Sequence, residues 1–446
     1  MAAECHSRFG FRFQPKVSLD FAGGEITGDA GLLLVREFDE RLGLTAGLRG
    51  LVSDERDRRY VTHDVLGLLR QRIYQIAAGY EDANDATFLR HDPAIQAMVQ
   101  RKDAPLASQP TLSRLENAVE WTSIRRLEQR GAEWWCRYQG PASARRDEEI
   151  ILDMDSTADP THGQQELAFY SGFYDTYMYH PMLVFEGESG MLLGSRLRPG
   201  DVGGTRQLLP LLRPLVSKLR GRFPKNSIAL RGDADFAKPD LLDFAEYQGC
   251  LYAFGMPKNP VLQRHVEKLQ ERAERIFQRT KKRVRLYASF FHKTRSWSLP
   301  RRILAKVERT AEGPNLRFVV TNRGGEPEEI FRWYEQRGRA ENFIKDFKRD
   351  LCADRLSCSS YRANAFRFQL HALAYNLLLL FRHLALGGTE LATCTLGTLR
   401  LRLLKIGARV RRTVRKLWFH LATGWPGRPL FLHVLERLAA IRAPSG

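Results

Sequence analysis

Four residues of one predicted helix could act together on a phosphate or a metal ion: Tyr334, Arg337, Glu341 and Lys348. The helix is predicted to begin shortly after residue 327 and to end at about residue 351. At roughly 100° per residue, the four side chains fall within an arc of about 60°. One helix face therefore offers a carboxylate beside cations and a phenol. The alternative is a solvated face on which Arg337 and Glu341 form an ion pair four residues apart.

Apolar residues on the opposite face of this helix predict that it packs against the protein core. Lys345 lies on or beside the face just described, whereas Phe343, Phe347 and Leu351 lie opposite. An apolar face of this kind packs on a protein core. The residues that could do chemistry would then point away from that core.

Acidic residues also end two short apolar segments elsewhere in the chain. Asp153 and Asp155 end the first segment, and Asp233 and Asp235 end the second. With Glu341, such acids supply the hard oxygen ligands that suit Mg²⁺ or Mn²⁺. Two ions about 3.5–4 Å apart can activate the attacking oxygen and stabilise the leaving oxygen of an in-line phosphoryl transfer. For any single acid, the alternative is a helix N-cap or a turn.

The elements that position these acids predict an α/β fold. Their order is strand, strand, strand, helix, strand, helix, strand, with acids at the ends of the first and fourth strands. This is the order expected of a ribonuclease H-like catalytic domain. A very basic segment interrupts it before the helix that carries Glu341, and the later half of that segment is predicted to form β-strands.

Five regions are predicted along the chain, and helical regions flank the α/β domain. They are a mostly helical region at 1–145, the first part of the α/β domain at 146–256, the basic β-rich insertion at 257–315, the second part of the α/β domain at 316–355, and a helical basic region at 356–446. In the last region, a helix is predicted over Leu399–Leu417. Its cations, including Arg411 and Arg412, would either lie on phosphates or form a solvated face.

The composition narrows the class of partner. A net charge of +19 over 446 residues indicates a polyanion, and for a soluble protein this is usually nucleic acid. The six cysteines show no CxxC spacing, which is typical of a cytosolic protein. The apolar run Phe366–Leu386 is broken by charged and amide residues, so a buried or dimer-forming helix is favoured over a membrane span. We therefore predict a cytoplasmic protein that binds DNA and not a membrane.

The spacing Tyr334-x2-Arg337-x3-Glu341-x6-Lys348 resembles the Y-R-E-K signature of bacterial insertion-sequence DDE transposases. The segments 152–166, 230–236 and 21–31 resemble the two other acid motifs and the N-terminal motif of insertion-sequence family 1380. The similarity covers nearly the whole chain. It implies a transposase that binds the inverted-repeat ends of its element through the N-terminal region, cleaves them and joins the 3′-OH ends to target DNA.

The resemblance also implies roles for single residues. Asp233 and Glu341 would be the second and third metal-binding acids of a site for two Mg²⁺ or Mn²⁺ ions, with Asp235 as the alternative to Asp233. The first acid would be Asp155, because its D-x-T pattern is similar to related transposases, with Asp153 as the alternative. Tyr334, Arg337 and Lys348 would contact DNA phosphates, and Lys345 lies beside them.

Further expectations concern the partners. In transposases of this kind, the segment before the third acid can supply a tryptophan that stacks on a flipped base, and Trp297 is the only candidate here. A core tryptophan is the alternative for Trp297. The resemblance also implies a homodimer on double-stranded DNA, with the helix at Phe366–Leu386 as one place for dimer contacts. The competing functions are a structure-specific nuclease of the same fold and a DNA-binding protein without catalysis.

Overall fold

The structure, a computed structural model, describes residues 9–100, 104–140, 142 and 148–441. The chain divides into two compact units. The first unit contains Met1–Glu120, Asp350–Cys352 and Leu373–Gly446, and the second contains Trp121–Arg349 and Ala353–Ala372. The N-terminal and C-terminal regions, which the sequence analysis treated as separate, thus belong to one unit.

The regular elements follow one another along the chain. The helices are α1 (Leu32–Leu42), α2 (Val65–Ala78), α3 (Ala86–Leu89), α4 (Pro93–Met98), α5 (Gln109–Ala118), α6 (Trp121–Leu127), α7 (Arg130–Tyr138), α8 (Leu209–Arg222), α9 (Pro239–Tyr247), α10 (Pro260–Thr280), α11 (Pro327–Glu335), α12 (Arg339–Lys345), α13 (Tyr361–Ala385), α14 (Leu396–Leu399) and α15 (Arg428–Ala440). The strands are β1 (Phe9–Gly10), β2 (Ser18–Leu19), β3 (Ile26–Thr27), β4 (Ile150–Ser156), β5 (Asp159–Pro160), β6 (Phe169–Ser171), β7 (Thr176–Tyr179), β8 (Met182–Glu186), β9 (Leu192–Arg196), β10 (Ile228–Gly232), β11 (Leu251–Met256), β12 (Val284–His292), β13 (Arg301–Thr310), β14 (Gly313–Thr321), β15 (Ala408–Arg412) and β16 (Leu417–Leu421).

The second unit is built on an eight-stranded mixed sheet with the order β12-β13-β14-β11-β10-β4-β8-β9. Strand β10 lies parallel to β4 and to β11, and the other neighbours in the sheet are antiparallel. The central strands are buried along most of their length, which explains why they read as apolar runs rather than as alternating patterns. The mixed α/β fold with strands at the predicted places is confirmed.

The basic segment 257–315 forms β-strands in its later half, as predicted, and a helix in its first half. Its first half forms the long helix α10, and strands β12 and β13, which lie in its later half, extend the same sheet as the acid-bearing strands. Helix α10 begins with Pro260 after Asn259, whose side chain accepts a hydrogen bond from the backbone N–H of Leu262 and so caps the helix. The segment is therefore partly helical, and its strands continue the main sheet.

The predicted helix after residue 327 is interrupted. Helix α11 ends at Glu335, a 3₁₀ turn covers Gln336–Gly338, α12 follows, and Asp346–Asp350 form a π-helical turn. Gly338 lies at the break, where its backbone freedom weakens a regular helix. Phe347 is buried as predicted.

The first unit combines helices α1–α5 with a three-stranded sheet of order β16-β15-β3. The prediction of a helix over Leu399–Leu417 is wrong, because its second half is strand β15 and the turn to β16. Ala408 and Val410 are buried while Arg409 and Arg411 are exposed, and this alternation is the period of a strand rather than of a helix.

Helix α13 contains the apolar run Phe366–Leu386 except for its last residue. Its residues from Phe366 to Phe381 are buried within the single chain, so this stretch offers no exposed apolar face to a second copy. Among the described residues, no helix combines the length and apolarity that crossing a bilayer requires.

Candidate active site

The two aspartates of β4 have different surroundings. Asp153 is 1% exposed, and its carboxylate accepts two hydrogen bonds from Arg231, from Nε at 2.6 Å and from Nη2 at 2.7 Å. Arg231 is itself fully buried and also donates to the carbonyl of Trp333 at 2.8 Å. The pair packs against Gly187, where a Cβ would lie 2.8 Å from the guanidinium and 2.9 Å from the carboxylate. The charge of Asp153 is therefore balanced by Arg231 inside the protein.

Asp155, two residues further along β4, carries no such partner among the residues that the structure describes. Its Oδ1 accepts a hydrogen bond from the backbone N–H of Ser156 at 2.8 Å. Burial and the charge of Asp233 raise the pKa of Asp155 to about 6, with a smaller contribution from Glu341, while Arg337 acts in the opposite direction. Asp233 and Glu341 thus both lie within electrostatic reach of Asp155.

Asp233 follows directly after β10, as the sequence predicted. Its Oδ1 accepts the backbone N–H of Asp235 at 2.9 Å and so caps the 3₁₀ turn Ala234–Phe236. Asp235 is exposed, whereas Asp233 is half-buried. Asp233 therefore caps a turn, which is the alternative role predicted for any single acid, and it also lies near Asp155.

Tyr334 and Arg337 pack beside these acids. Tyr334 is 8% exposed, and its Oη donates to the carbonyl of Gly232 at 3.3 Å. The guanidinium of Arg337 lies 5.8 Å from the centre of the Tyr334 ring. Burial acts to lower the pKa of Arg337, but Tyr334, Asp155 and Asp233 raise it above its usual value. Arg337 thus faces the carboxylates of the two strand ends.

Glu341 lies on α12 and is exposed. It forms no ion pair with Arg337 within the residues that the structure describes, so the predicted alternative of a salt-bridged helix face is not formed. The break at Gln336–Gly338 separates the two residues into different turns, and Arg337 folds onto Tyr334 instead.

The two lysines of the signature region have different positions. Lys345 is exposed at the end of α12. Lys348 is half-buried, and its Nζ donates to the carbonyl of Ala158 and to Oγ1 of Thr157, with Asp354 at 3.6 Å. Lys348 thereby holds the loop that follows Asp155 and its β-strand.

A metal ion would need oxygen ligands, and the chain supplies them as aspartate and glutamate. In the described ranges, no three His, Cys, Asp or Glu side chains already stand close enough together to hold a metal. Asp233 and Glu341 thus act on Asp155 through their charges, but the three carboxylates do not form a ligand shell. The donor set nevertheless matches the hard oxygen ligands that Mg²⁺ takes.

Trp297 is 5% exposed, so in this structure its ring is packed inside the protein and presents no free face to a base. Arg301 lies 5.3 Å from the centre of its ring, and the His292 ring meets it edge-on at 6.2 Å. The alternative of a core tryptophan is the one observed.

Arg411 and Arg412 belong to the first unit, on β15. Arg411 is exposed and makes no ion pair in the described part of the chain, whereas Arg412 pairs with Glu25 at 2.8 Å and donates to Gln96 at 3.1 Å. Exposed Arg409 lies two residues before Arg411 on the same strand face. The two predicted phosphate contacts are thus not equivalent.

Sequence reasoning missed two features near the acids. The first is the buried ion pair of Arg231 and Asp153. Its signal in the sequence was Arg231, because an arginine inside an apolar strand requires a buried partner. The second is the hairpin of β6 and β7, whose Tyr174 lies close enough to Asp155 and Asp233 for their charges, after burial, to raise its pKa. Aromatic density in 169–179 was its signal.

Comparisons with known proteins add a family. Residues 9–443 match the family described as Transposase DDE domain group 1. No curated protein shows significant sequence similarity to the chain. Among solved structures, the cryo-EM structure of a piggyBac transposase synaptic complex with hairpin DNA is similar, with 11% identity, a TM-score of 0.42, and coverage of 89% of this chain and 82% of that one. At this level the structural likeness carries no argument about function.

Proposed function

The chain belongs to the family Transposase DDE domain group 1 and is therefore a transposase acting on DNA, and from this we propose that Asp155, Asp233 and Glu341 form its catalytic centre. The observation that carries the proposal is the geometry of the sheet, in which Asp155 lies at the end of β4 and Asp233 directly follows the parallel neighbouring strand β10. Burial, Asp233 and Glu341 also raise the pKa of Asp155 to about 6, although Arg337 opposes them. Carboxylates that repel one another in this way are typical of sites that receive cations.

We propose that this centre takes two Mg²⁺ ions, with Mn²⁺ as a substitute. The bound ions would supply activation of the attacking oxygen and stabilisation of the leaving oxygen in phosphoryl transfer. The protein's part is to present ionised carboxylates on elements fixed by the sheet. Asp155 is the first acid in preference to Asp153, because Asp153 could bind a cation only by leaving Arg231 unpaired in the core.

The cations around the acids divide into two roles. Arg337 faces Asp155 and Asp233, and Lys345 is exposed on the same helical segment, so both are proposed to hold DNA phosphates. Tyr334 and Lys348 are proposed to act as positioning residues. Their polar atoms already contact the backbone of Gly232 and of the loop after Asp155, respectively.

We infer two successive reactions from the family and the acids. Water attacks a phosphodiester at the element end, the bond to the 3′ oxygen breaks, and a 3′-OH and a 5′-phosphate result. The 3′ oxygen then attacks a phosphodiester of target DNA and displaces another 3′-OH. Arg411, exposed on β15, is proposed to bind DNA phosphates, whereas Arg412 mainly holds its own unit together.

The finer assignment is a bacterial insertion-sequence transposase of family 1380. The Y-R-E-K spacing and the two aspartate motifs support it. The strand order β9-β8-β4-β10-β11, with the acids at the ends of β4 and β10, supports a ribonuclease H-like layout. From the same resemblance we propose a homodimer that holds two element ends. The buried part of helix α13 is not proposed as the dimer interface.

The experiment uses a plasmid that carries the two ends of the element that encodes this chain. Wild-type protein with Mg²⁺ should nick the ends and join them to a second plasmid. Asp233→Asn and Glu341→Gln should abolish both steps while end binding persists. Asp235→Asn, two residues from Asp233 and exposed, is the matched control and should remain active. Retained Mg²⁺-dependent nicking by Asp233→Asn or Glu341→Gln would refute the assignment.

The same assay separates a transposase from a structure-specific nuclease. Pre-cleaved ends with a free 3′-OH are supplied, so that cleavage is no longer needed. A transposase joins these ends to target DNA, whereas a nuclease only cuts. Joining that depends on Glu341 would exclude the nuclease.

A further inference from the structure

A hairpin beside the acids exposes an unusual number of aromatic rings. We call residues 169–179, which contain β6 and β7, the aromatic hairpin. Its exposed aromatic side chains are Phe169 at 39%, Tyr170 at 55%, Phe173 at 87%, Tyr174 at 44% and Tyr177 at 60%. Exposed apolar patches of this kind on a folded domain mark interaction sites.

The charge of the aromatic hairpin is equally unusual. The chain carries 70 lysines and arginines, yet none falls between residues 167 and 179, and the one charged residue there is Asp175. A surface that binds DNA phosphates needs cations. The aromatic hairpin therefore suits the flat, uncharged faces of bases rather than the phosphate backbone.

The fold places the tip of this hairpin next to the acids. Strand β7 pairs with β5, where Tyr179 lies opposite Asp159, and β5 begins three residues after the end of β4 at Ser156. Tyr174 at the tip is partly exposed, and its ring meets that of His180 edge-on at 6.5 Å. The carbonyl of Pro181, the next residue, accepts the backbone N–H of Thr157 at 3.3 Å, two residues after Asp155. The tip of the aromatic hairpin thus lies near the end of β4 that carries Asp155.

The tip is held in a defined shape. Tyr170 donates a hydrogen bond to Asp175, which adopts the left-handed backbone conformation with φ of 51° and so closes the turn. The Tyr170 and Tyr177 rings meet edge-on at 5.6 Å, and those of Phe173 and Tyr174 at 4.8 Å. A held turn that exposes Phe173 loses little further entropy when a ligand binds.

We propose that the aromatic hairpin binds unpaired bases of the DNA strand next to the acids, with Phe173 and Tyr174 as the stacking side chains. The inference rests on the proposed function, since it takes Asp155, Asp233 and Glu341 as the place of cleavage. Stacking tolerates any base, because every base has a π-face. The hairpin thereby favours ends that are already unpaired or easily unpaired.

The test measures binding by the full-length chain in EDTA, so that no cleavage is required. The probes are a blunt DNA duplex and the same duplex with a single-stranded thymidine extension. Wild-type protein should prefer the extended duplex. Phe173→Ala should reduce that preference by about five- to a hundredfold, the effect of one lost stacking contact, and leave blunt-duplex affinity unchanged. Phe173→Trp should retain the preference.

Two further variants separate stacking from other roles. Phe173→Leu keeps an apolar side chain without a π-face, so it should lose the preference for the extension. Tyr247→Ala, an 86% exposed aromatic at the end of α9, is the matched control and should behave as wild type.

Several outcomes would overturn the proposal. They are full preference in Phe173→Ala, full preference in Phe173→Leu, and no wild-type preference at all. A changed sedimentation coefficient in Phe173→Ala with the preference intact would show a contact between copies instead. Failure of the proposed function is distinguishable, because it appears as absent Mg²⁺-dependent cleavage and not as absent preference in EDTA.

Discussion

Replacing Asp155 by asparagine is expected to stabilise the metal-free protein while it abolishes DNA cleavage. The substituted side chain would keep the oxygen that accepts the N–H of Ser156, so local geometry is retained. The change would remove a negative charge that burial and Asp233 disfavour. Stability and activity should therefore change in opposite directions, as is common for residues of active sites.

The magnitude follows from the pKa. The pKa of Asp155 rises from 3.8 to about 6, and a tenfold difference in proton affinity is worth about 1.4 kcal/mol. At pH 7 the ionised carboxylate thus costs the folded state up to about 3 kcal/mol. Because the pKa is raised, the folded protein holds this proton more tightly than the unfolded chain. The cost is absent below about pH 4, grows as the pH rises to about 6, and is complete above it.

The assay is urea unfolding followed by circular dichroism in EDTA. Asp155→Asn should raise the free energy of unfolding by about 1–3 kcal/mol at pH 7 and by little at pH 4. Asp153→Asn is the matched control, two residues away on the same strand. It should lower the free energy of unfolding by about 3–5 kcal/mol, because Arg231 then lies buried without a counter-charge. Equal destabilisation by both variants would refute the reasoning.

Three other predictions concern Trp297, Lys348 and Arg411. Trp297→Ala should lower the free energy of unfolding by about 3–5 kcal/mol in urea, as for a core tryptophan, whereas a base-stacking role predicts unchanged stability and weaker DNA binding. Lys348→Met should cost about 1–3 kcal/mol in the same assay, because it leaves the carbonyl of Ala158 unpaired; an unchanged midpoint would exclude a positioning role. Arg411→Ala should reduce the slope of log affinity against log salt by about 0.9 for its one phosphate contact, and an unchanged slope would remove Arg411 from the DNA surface.

Much of the sheet could be predicted because its signals are local. The strand that carries Asp155 and the strand that precedes Asp233 are short apolar runs ending in acids, and both lie where the sequence placed them. The glycines between β8 and β9 and the apolar periodicity of α8 are local signals of the same kind. These features depend on neighbours a few residues away, which sequence patterns record.

The helix that carries the signature could be predicted only in part. Angular spacing along an unbroken helix placed Arg337 and Glu341 on one face, and an ion pair between them was the natural alternative. The 3₁₀ turn at Gln336–Gly338 changes that angular spacing, and the guanidinium of Arg337 packs on the ring of Tyr334. The interruption depends on packing against the sheet, and Gly338 alone is too weak a signal to predict it.

Strand β15 was missed for a different reason. Over Leu399–Leu417, apolar residues fit a helical period as a whole, while Ala408, Arg409, Val410 and Arg411 alternate over four positions only. A short alternating segment stabilises a strand only when partners exist on its edges, and β15 lies between β3 and β16. One of those partners comes from the other end of the chain, so no local pattern could reveal it.

The choice between Asp153 and Asp155 shows why a catalytic centre cannot be assigned from spacing alone. Both residues lie on the same strand, and both are acids that follow an apolar run. Their difference comes from Arg231, 78 residues away, which the register of β10 against β4 places directly opposite Asp153. One buried arginine neutralises one aspartate and leaves the next one charged beside Asp233. Asp155 forms no ion pair among the described residues, so of the two aspartates it is the one that a bound cation would stabilise more.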